Sequence, residues 1–369
     1  MALSESYIRK INYYIENLPK RIYKPINNIC FESFYTFDRL TLDQAMQHKS
    51  KPAKEGEAWG VKWEYGWFFT KIIIPEGYDG ERIVFKASLG ECIAYVNGRI
   101  CGALDKQHKE ITLAQSADAG QEYDIVLEVY GGHDGLEDTL NQIHGFAILP
   151  DSNNYEFPDG IKQKIVKNGT FGVWNDVVFQ CWMDINVLYD LRNNLDDNSL
   201  RKSQIDKGLK KACDIIDIEL PDAEFTESIK YAREVLKPLL ECKNGTTTPV
   251  MYAIGHSHLD LEWLWTKNET IRKIARTVGN QLRLSDEYKD YKYIQSQPWL
   301  MNVLKNDYPD MYDEFKKAVK DGRFIAEGGM WVEADTNIPS GESLVRQFMF
   351  GKKFFKPNAT SSKTVSAKS

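Results

Sequence analysis

The period of the apolar positions changes three times along the chain. Residues 5 to 18 carry Ile8, Ile11, Tyr14 and Ile15 at helical spacing, which predicts a short amphipathic helix. A loop-rich aromatic stretch follows. From about Trp59 the period falls to two. Trp63–Phe69 runs into Ile72, Ile73 and Ile74 and breaks at Pro75-Glu76-Gly77, and Arg82–Leu89, Glu91–Val96, Glu110–Leu113 and Tyr123–Tyr130 read as further strands. Asn97-Gly98 predicts a tight hairpin into Arg99–Gly102. Short strands separated by turns predict an antiparallel β-sandwich.

Helical spacing returns near residue 199. Ile205, Leu209, Ala212 and Ile216 form one apolar stripe, and Phe225, Ile229, Ala232, Leu236 and Leu239 form another. These helices read as a connector that ends in the loop 243–249. A third texture starts at Val250. Val250–Gly255, Tyr291–Gln295 and Phe324–Trp331 read as buried strands. Between them lie a helix over Glu269–Leu284 and a helix over Trp299–Lys320, interrupted around Tyr308-Pro309. Ser340 reads as the N-cap of a further helix carrying Leu344 and Phe348. This alternation predicts a parallel sheet with helical crossovers. No internal repeat is present.

The expected organisation is an α+β multidomain chain: an N-terminal helix and arm (1–25), a β-sandwich (26–185), a helical connector (186–247), a β/α region (248–356) and a disordered tail (357–369). A length of 369 residues suits two or three domains. Hydrophobic residues at 42% exclude a disordered or collagen-like chain. With 47 basic against 53 acidic residues the net charge is -6, so no electrostatic footprint for nucleic acid is expected. No apolar run reaches membrane-spanning length, and the N-terminus lacks the apolar core of a signal peptide. A cytoplasmic location is the expectation. The six scattered cysteines are then expected as small buried hydrophobes, and the sequons at Asn168, Asn244, Asn268 and Asn358 as chance matches.

Three segments could carry chemistry. Gly255–Trp263 (Gly-His-Ser-His-Leu-Asp-Leu-Glu-Trp) lies where the first parallel strand should end, the edge at which such sheets bind ligands. If the chain is still extended there, His256, His258 and Asp260 share a face and suit a divalent metal of zinc type. The competing reading is a histidine hydrogen-bonded to Asp260. Gly328–Asn337 reaches the same edge. There Glu333 and Asp335 stand beside Trp331, an aromatic wall and carboxylates of the kind a sugar site needs, unless they cap a helix or face solvent. In Ser340–Gln347, Arg346 could reach a polar ligand, or the segment is simply a capped helix start with Glu342 near its positive end. Glu269-Thr-Ile-Arg-Lys reads as a helix start with solvated charges. Trp59, Trp63 and Trp67 read as core rather than as a sugar platform.

The ordered set Gly255–Trp265, Glu269–Thr277, Ser296-Gln297, Glu327–Asn337 and Ser340–Gln347 resembles glycoside hydrolase family 38, the α-mannosidases, in the branch of the cytosolic, vacuolar and bacterial enzymes. The likeness covers about residues 250 to 356. It implies the first β/α units of a seven-stranded (β/α) barrel, and it makes the β-rich region an accessory N-terminal domain. It implies a retaining mechanism at a zinc site (cobalt accepts the same ligands), with His258 and Asp260 as the metal pair, Asp335 as metal ligand and nucleophile, and Trp263 lining a mannose pocket. The implied partner is an α-mannoside or mannose-containing oligosaccharide, and relatives are often oligomeric.

The family also uses a histidine and an acid/base carboxylate downstream of the nucleophile. No histidine follows His258 here, and only Glu342 follows Asp335. The resemblance therefore leads to the expectation of a shortened member, its three-strand barrel piece poorly stable and inactive alone. The alternative from another class is a non-catalytic carbohydrate-binding or interaction protein built on the β-sandwich.

Overall fold

A computed structural model describes residues 3–132, 162–262 and 265–358 of the chain. The first helix, α1 (Glu5–Asn17), leads through one 3-10 turn into a β-rich region. Its strands are β1 (Tyr23–Ile29), β2 (Glu32–Thr36), β3 (Lys51–Pro52), β4 (Ala58–Trp59), β5 (Tyr65–Ile73), β6 (Ile83–Lys86), β7 (Cys92–Val96), β8 (Arg99–Leu104), β9 (Glu110–Ala114), β10 (Glu122–Tyr130), β11 (Lys164–Ile165) and β12 (Gly169–Trp174), with the short helix α2 (Leu42–Met46) after β2. Two antiparallel sheets result, of order β1-β12-β6-β9 and β3-β2-β5-β10-β7-β8, with β11 and β4 paired beside them. This is the antiparallel sandwich that the period-two pattern predicts. The hairpin at Asn97-Gly98 forms, with both residues at positive φ, 49° and 81°, as its turn requires.

Strand β7 and most of β10, at the middle of the larger sheet, are buried on both faces, and their alternation shows why. On β10, Ile125, Leu127 and Val129 enter the core between the sheets, with Phe68, Ile72 and Phe85. Val126, together with Trp67, Ile93 and Tyr95 of the neighbouring strands, points the other way into a second core. Trp59 and Trp67 are thus 2% and 0% exposed and offer no platform to a sugar.

Helices α3 (Asp176–Asn193), α4 (Leu200–Ile215) and α5 (Asp222–Leu240) pack with α1 around a third core containing Ile11, Leu18, Ile185, Leu209 and Ile229. The N-terminal helix is therefore one wall of a four-helix unit. The helical unit also begins at Asp176, inside the range expected for the sandwich, because the N-cap Asn175 accepts a hydrogen bond from the Val178 N–H.

The last region contains β13 (Gly255–His256), α6 (Lys267–Glu287), β14 (Tyr293–Gln295), α7 (Pro298–Asp307), α8 (Pro309–Lys320), β15 (Phe324–Ala326) and α9 (Gly341–Asn358). The three strands form a parallel sheet in chain order. The helix break falls at Pro309, as its sequence predicts. All three strands are shorter than expected, the second beginning at Tyr293. Val250, Met251 and Tyr252 are 74%, 92% and 86% exposed and unpaired, so only Gly255–His256 joins the sheet. The third strand stops at Ala326, and Gly328 turns the chain at positive φ. Pro357 and Asn358 continue α9, and the rest of the expected tail lies outside the described residues.

Cys92, Cys181 and Cys213 are buried as expected, but Cys30 and Cys242 are exposed; all six are free thiols. Among the described residues no helix is long and apolar enough to cross a membrane.

Helix α6 joins the sandwich to the β/α region. Ile274, Ala275 and Val278 share one core with Tyr293, Leu300 and Phe324 and with the outer face of the larger sheet. Close approach is possible because Gly279 lies against β8, where an added Cβ would stand 3.3 Å from the Gly102 Cα. On the stripe facing the sheet, Glu269, Arg272 and Arg276 are 0%, 1% and 7% exposed. These are not the solvated charges expected of a helix start. Arg272 Nε donates to Glu128, and Arg272 stacks 3.6 Å from the Tyr65 ring centre. Arg276 donates to Glu269 and, at 3.0 Å, to Glu91, while the Tyr65 hydroxyl donates to Glu269 at 2.8 Å. Burial pushes the Glu128 carboxyl above the usual carboxylate range, against the pull of Arg272.

Removing one partner leaves a buried charge unpaired. Arg272→Ala is therefore expected to lower unfolding free energy by about 3–5 kcal/mol in urea titrations. The double change Arg272→Met with Glu128→Leu is expected to recover most of that loss, since it removes both charges.

Candidate functional site

The C-terminal ends of β13, β14 and β15 point to one edge, where ligands bind in sheets of this kind. Three connecting segments meet there: residues 257–262, 296–297 and 327–337. His258 is the hub. Its Nε2 lies 3.1 Å from Asp260 Oδ1 and its Nδ1 lies 2.9 Å from Glu333 Oε2. The hydrogen bond that His258 donates to Asp260, then the charges of Asp260 and Glu333, raise the His258 pKa above the ordinary 6.5.

Of the three residues expected on one face, His258 and Asp260 stay in contact and His256 parts from them. Extended backbone ends at His256, so the alternation that would align 256, 258 and 260 ends with it. His256 Nε2 instead lies 3.3 Å from the Ser296 hydroxyl. Asp335 Oδ1 accepts the Asn337 N–H at 2.6 Å, a local turn, and it is Glu333 that reaches His258. Among the described residues no three His, Cys, Asp or Glu side chains gather so as to hold a metal ion. As placed, His258, Asp260 and Asp335 do not fit zinc. Both imidazole nitrogens face carboxylates, whereas a ligand needs a nitrogen lone pair directed at the ion from about 2.0–2.1 Å.

Trp331 is half-buried against α9, its ring edge-on to Phe354 at 5.9 Å. Arg346 Nε donates to Glu342 Oε1 at 2.7 Å one turn back along α9, an exposed pair rather than a ligand contact. Ser340 does cap α9: its hydroxyl accepts the Ser343 N–H at 3.2 Å. Trp263 lies outside the described residues. Its neighbour Trp265 donates to the Thr270 hydroxyl at 3.0 Å, and the Glu262 N–H reaches the same hydroxyl at 3.3 Å, which ties the first segment to the start of α6.

Two contributors carry little sequence signal. Glu333 stands out in the sequence only as a carboxylate beside Trp331, and its contact with His258 comes from the fold. Gln297 is 3% exposed although polar, and it touches both outer segments. Its place before Pro298, which opens α7, and its membership of the Ser296-Gln297 pair mark it in the sequence, and neither predicts its burial.

Residues 248–366 match the family model of the glycosyl hydrolases family 38 N-terminal domain, and residues 27–156 match an α-mannosidase jelly roll domain. Over 331 residues the chain is 29% identical to α-mannosidase G of Dictyostelium discoideum, covering 86% of this chain and 28% of that protein. It is 27% identical over 354 residues to α-mannosidase 2C1 of Mus musculus, covering 95% and 33%. It is 27% identical over 332 residues to an α-mannosidase of Saccharomyces cerevisiae, covering 85% and 29%. The chain thus spans about three-tenths of the length of these relatives.

An NMR titration of the His258 ring should give a midpoint above 6.5 that falls in Asp260→Asn and falls less in Glu333→Gln. The sign follows from linkage. Because the folded-state value is raised, the stability this contact contributes is fully present below about 6.5 and is lost as pH rises through the folded-state value.

Proposed function

We propose, for a chain that belongs to glycosyl hydrolase family 38, that it carries the opening β/α units of a retaining α-mannosidase and takes α-linked mannosides as its substrate class. The observation that carries this reading is the meeting of the His258–Asp260–Glu333 cluster and the Asp335 loop at one strand edge, inside the segment that matches the family. In this reading the three strands are the first of a (β/α) barrel, and the sandwich is the accessory domain.

Asp335 is the proposed nucleophile. Its carboxylate is exposed at the edge, and the Asn337 N–H orients one of its oxygens. Attack on the anomeric carbon forms a bond from carboxylate oxygen to carbon and breaks the glycosidic bond. Water then releases the sugar with retained configuration. Carboxylates beside a hydroxyl-rich ring also accept its O–H groups, a role open to Asp260 and Glu333.

The first step needs a second carboxyl, held protonated by burial, to donate to the leaving oxygen. The acids at this edge, Asp260, Glu262, Glu327, Glu333 and Asp335, are exposed or half-exposed, with Asp260 and Glu333 side chains 44% and 38% accessible. None has the buried setting of a general acid. These 369 residues by themselves are therefore proposed to be inactive on ordinary mannosides. Zinc or cobalt binding would require His258 to give up a carboxylate, and the purified chain is proposed to hold well under one ion per molecule.

A fluoride leaving group needs no general acid, so it separates the nucleophile from the missing acid. A doubly fluorinated mannosyl fluoride is expected to leave a slow covalent adduct on Asp335, seen by mass spectrometry and absent in Asp335→Asn. An aryl α-mannoside should show no turnover with either form. An adduct elsewhere would overturn the assignment of Asp335, and metal-dependent aryl mannoside turnover would overturn the proposed inactivity.

A further inference from the structure

We infer that Gln297 is a positioning residue for the strand-edge site: its single amide holds the histidine-bearing and carboxylate-bearing segments at a set separation. The inference rests on the edge being the site proposed above.

Gln297 stands two residues after the end of β14 and precedes Pro298 at the start of α7. Its backbone sits at φ 62°, in the left-handed region that residues with a side chain avoid unless their surroundings hold them there. Its side chain is buried between the two outer segments. Nε2 donates to the Leu259 carbonyl at 2.8 Å, and Oε1 accepts the Glu333 N–H at 3.2 Å.

The positions of these two partners matter. Leu259 stands between His258 and Asp260, and Glu333 is the residue whose carboxylate meets His258 Nδ1 at 2.9 Å. Gln297, Leu259, His258 and Glu333 therefore close a ring of contacts. Because the amide is planar, its donor and acceptor directions are fixed relative to each other, and so is the spacing of the two backbones. No other side chain of this length offers both functions at neutral pH. Glutamate keeps the acceptor and loses the donor, and methionine loses both.

The rest of the corner does not depend on Gln297. The Trp299 N–H donates to the Trp331 carbonyl at 3.0 Å, and the Val332 N–H donates to Gln347 Oε1 at 2.9 Å. A variant at 297 therefore loses a link between segments while the second segment keeps other anchors. Gln297 touches none of the proposed reacting atoms and acts through the segments it joins.

Hydrogen exchange followed by mass spectrometry on the whole chain tests this. In Gln297→Ala, peptides covering 257–262 and 331–335 should both exchange at least about tenfold faster, with α6 and the sandwich sheets unchanged. In Gln297→Glu, the acceptor for the Glu333 N–H survives while two acceptors face each other at Leu259. Exchange should then rise over 257–262 and stay near the parent rate over 331–335. A general loss of packing would not produce this split. Unchanged exchange in both variants, or an equal rise throughout the molecule, would overturn the inference. Failure of the mannosyl fluoride to label Asp335 would remove the mannosidase reading and leave the exchange result to decide the role of Gln297.

Discussion

The buried ion pairs between α6 and the larger sheet of the sandwich are the constraint on which the β/α region depends. Arg272 meets Glu128 from the outer face of β10, while Glu269 takes the Tyr65 hydroxyl and Arg276. Such pairs repay little more than their own desolvation, so their main effect is on register. A slide of α6 along the sheet would take Arg272 away from Glu128 and Glu269 away from the Tyr65 hydroxyl, whereas the Glu269–Arg276 pair lies within α6 and would move with it.

This register is passed to the strand edge over a short distance. Thr270, in the same first turn as Glu269, holds the Glu262 N–H and the Trp265 indole, so the segment carrying His258 and Asp260 hangs from a helix end docked on the sandwich. Gln297 then links that segment to the one carrying Glu333 and Asp335. Charges at the edge are held by one another rather than by burial. His258 sits between two carboxylates, and all three side chains are in contact with water.

Much of the local structure was legible in the sequence because its causes are local. The Asn97-Gly98 turn, the break before Pro309 and the Ser340 cap follow from single residues and their immediate neighbours. The misreadings share a cause as well. Val250–Tyr252 looks like a buried strand because it is apolar, yet the described structure brings no partner to it. Glu269, Arg272 and Lys273 look solvated because a helix start usually is, yet a distant strand supplies Glu128. Arg346 looks free to reach a ligand, yet Glu342 lies one turn away.

What the sequence by itself determined is the set of periods, caps and turns, and through the order of its motifs the likeness to a family whose N-terminal domain model matches residues 248–366. These depend on contacts a few residues apart, which spacing encodes directly. The tertiary structure decided which polar residues meet. Asp260 is two residues from His258, but Glu333 is far along the chain, and its contact with His258 exists only because parallel crossovers bring both strand ends to one edge. The burial of Glu128 with Arg272 was decided in the same way, since a charge is buried only where the fold brings it a partner, and no pattern within either segment specifies the other.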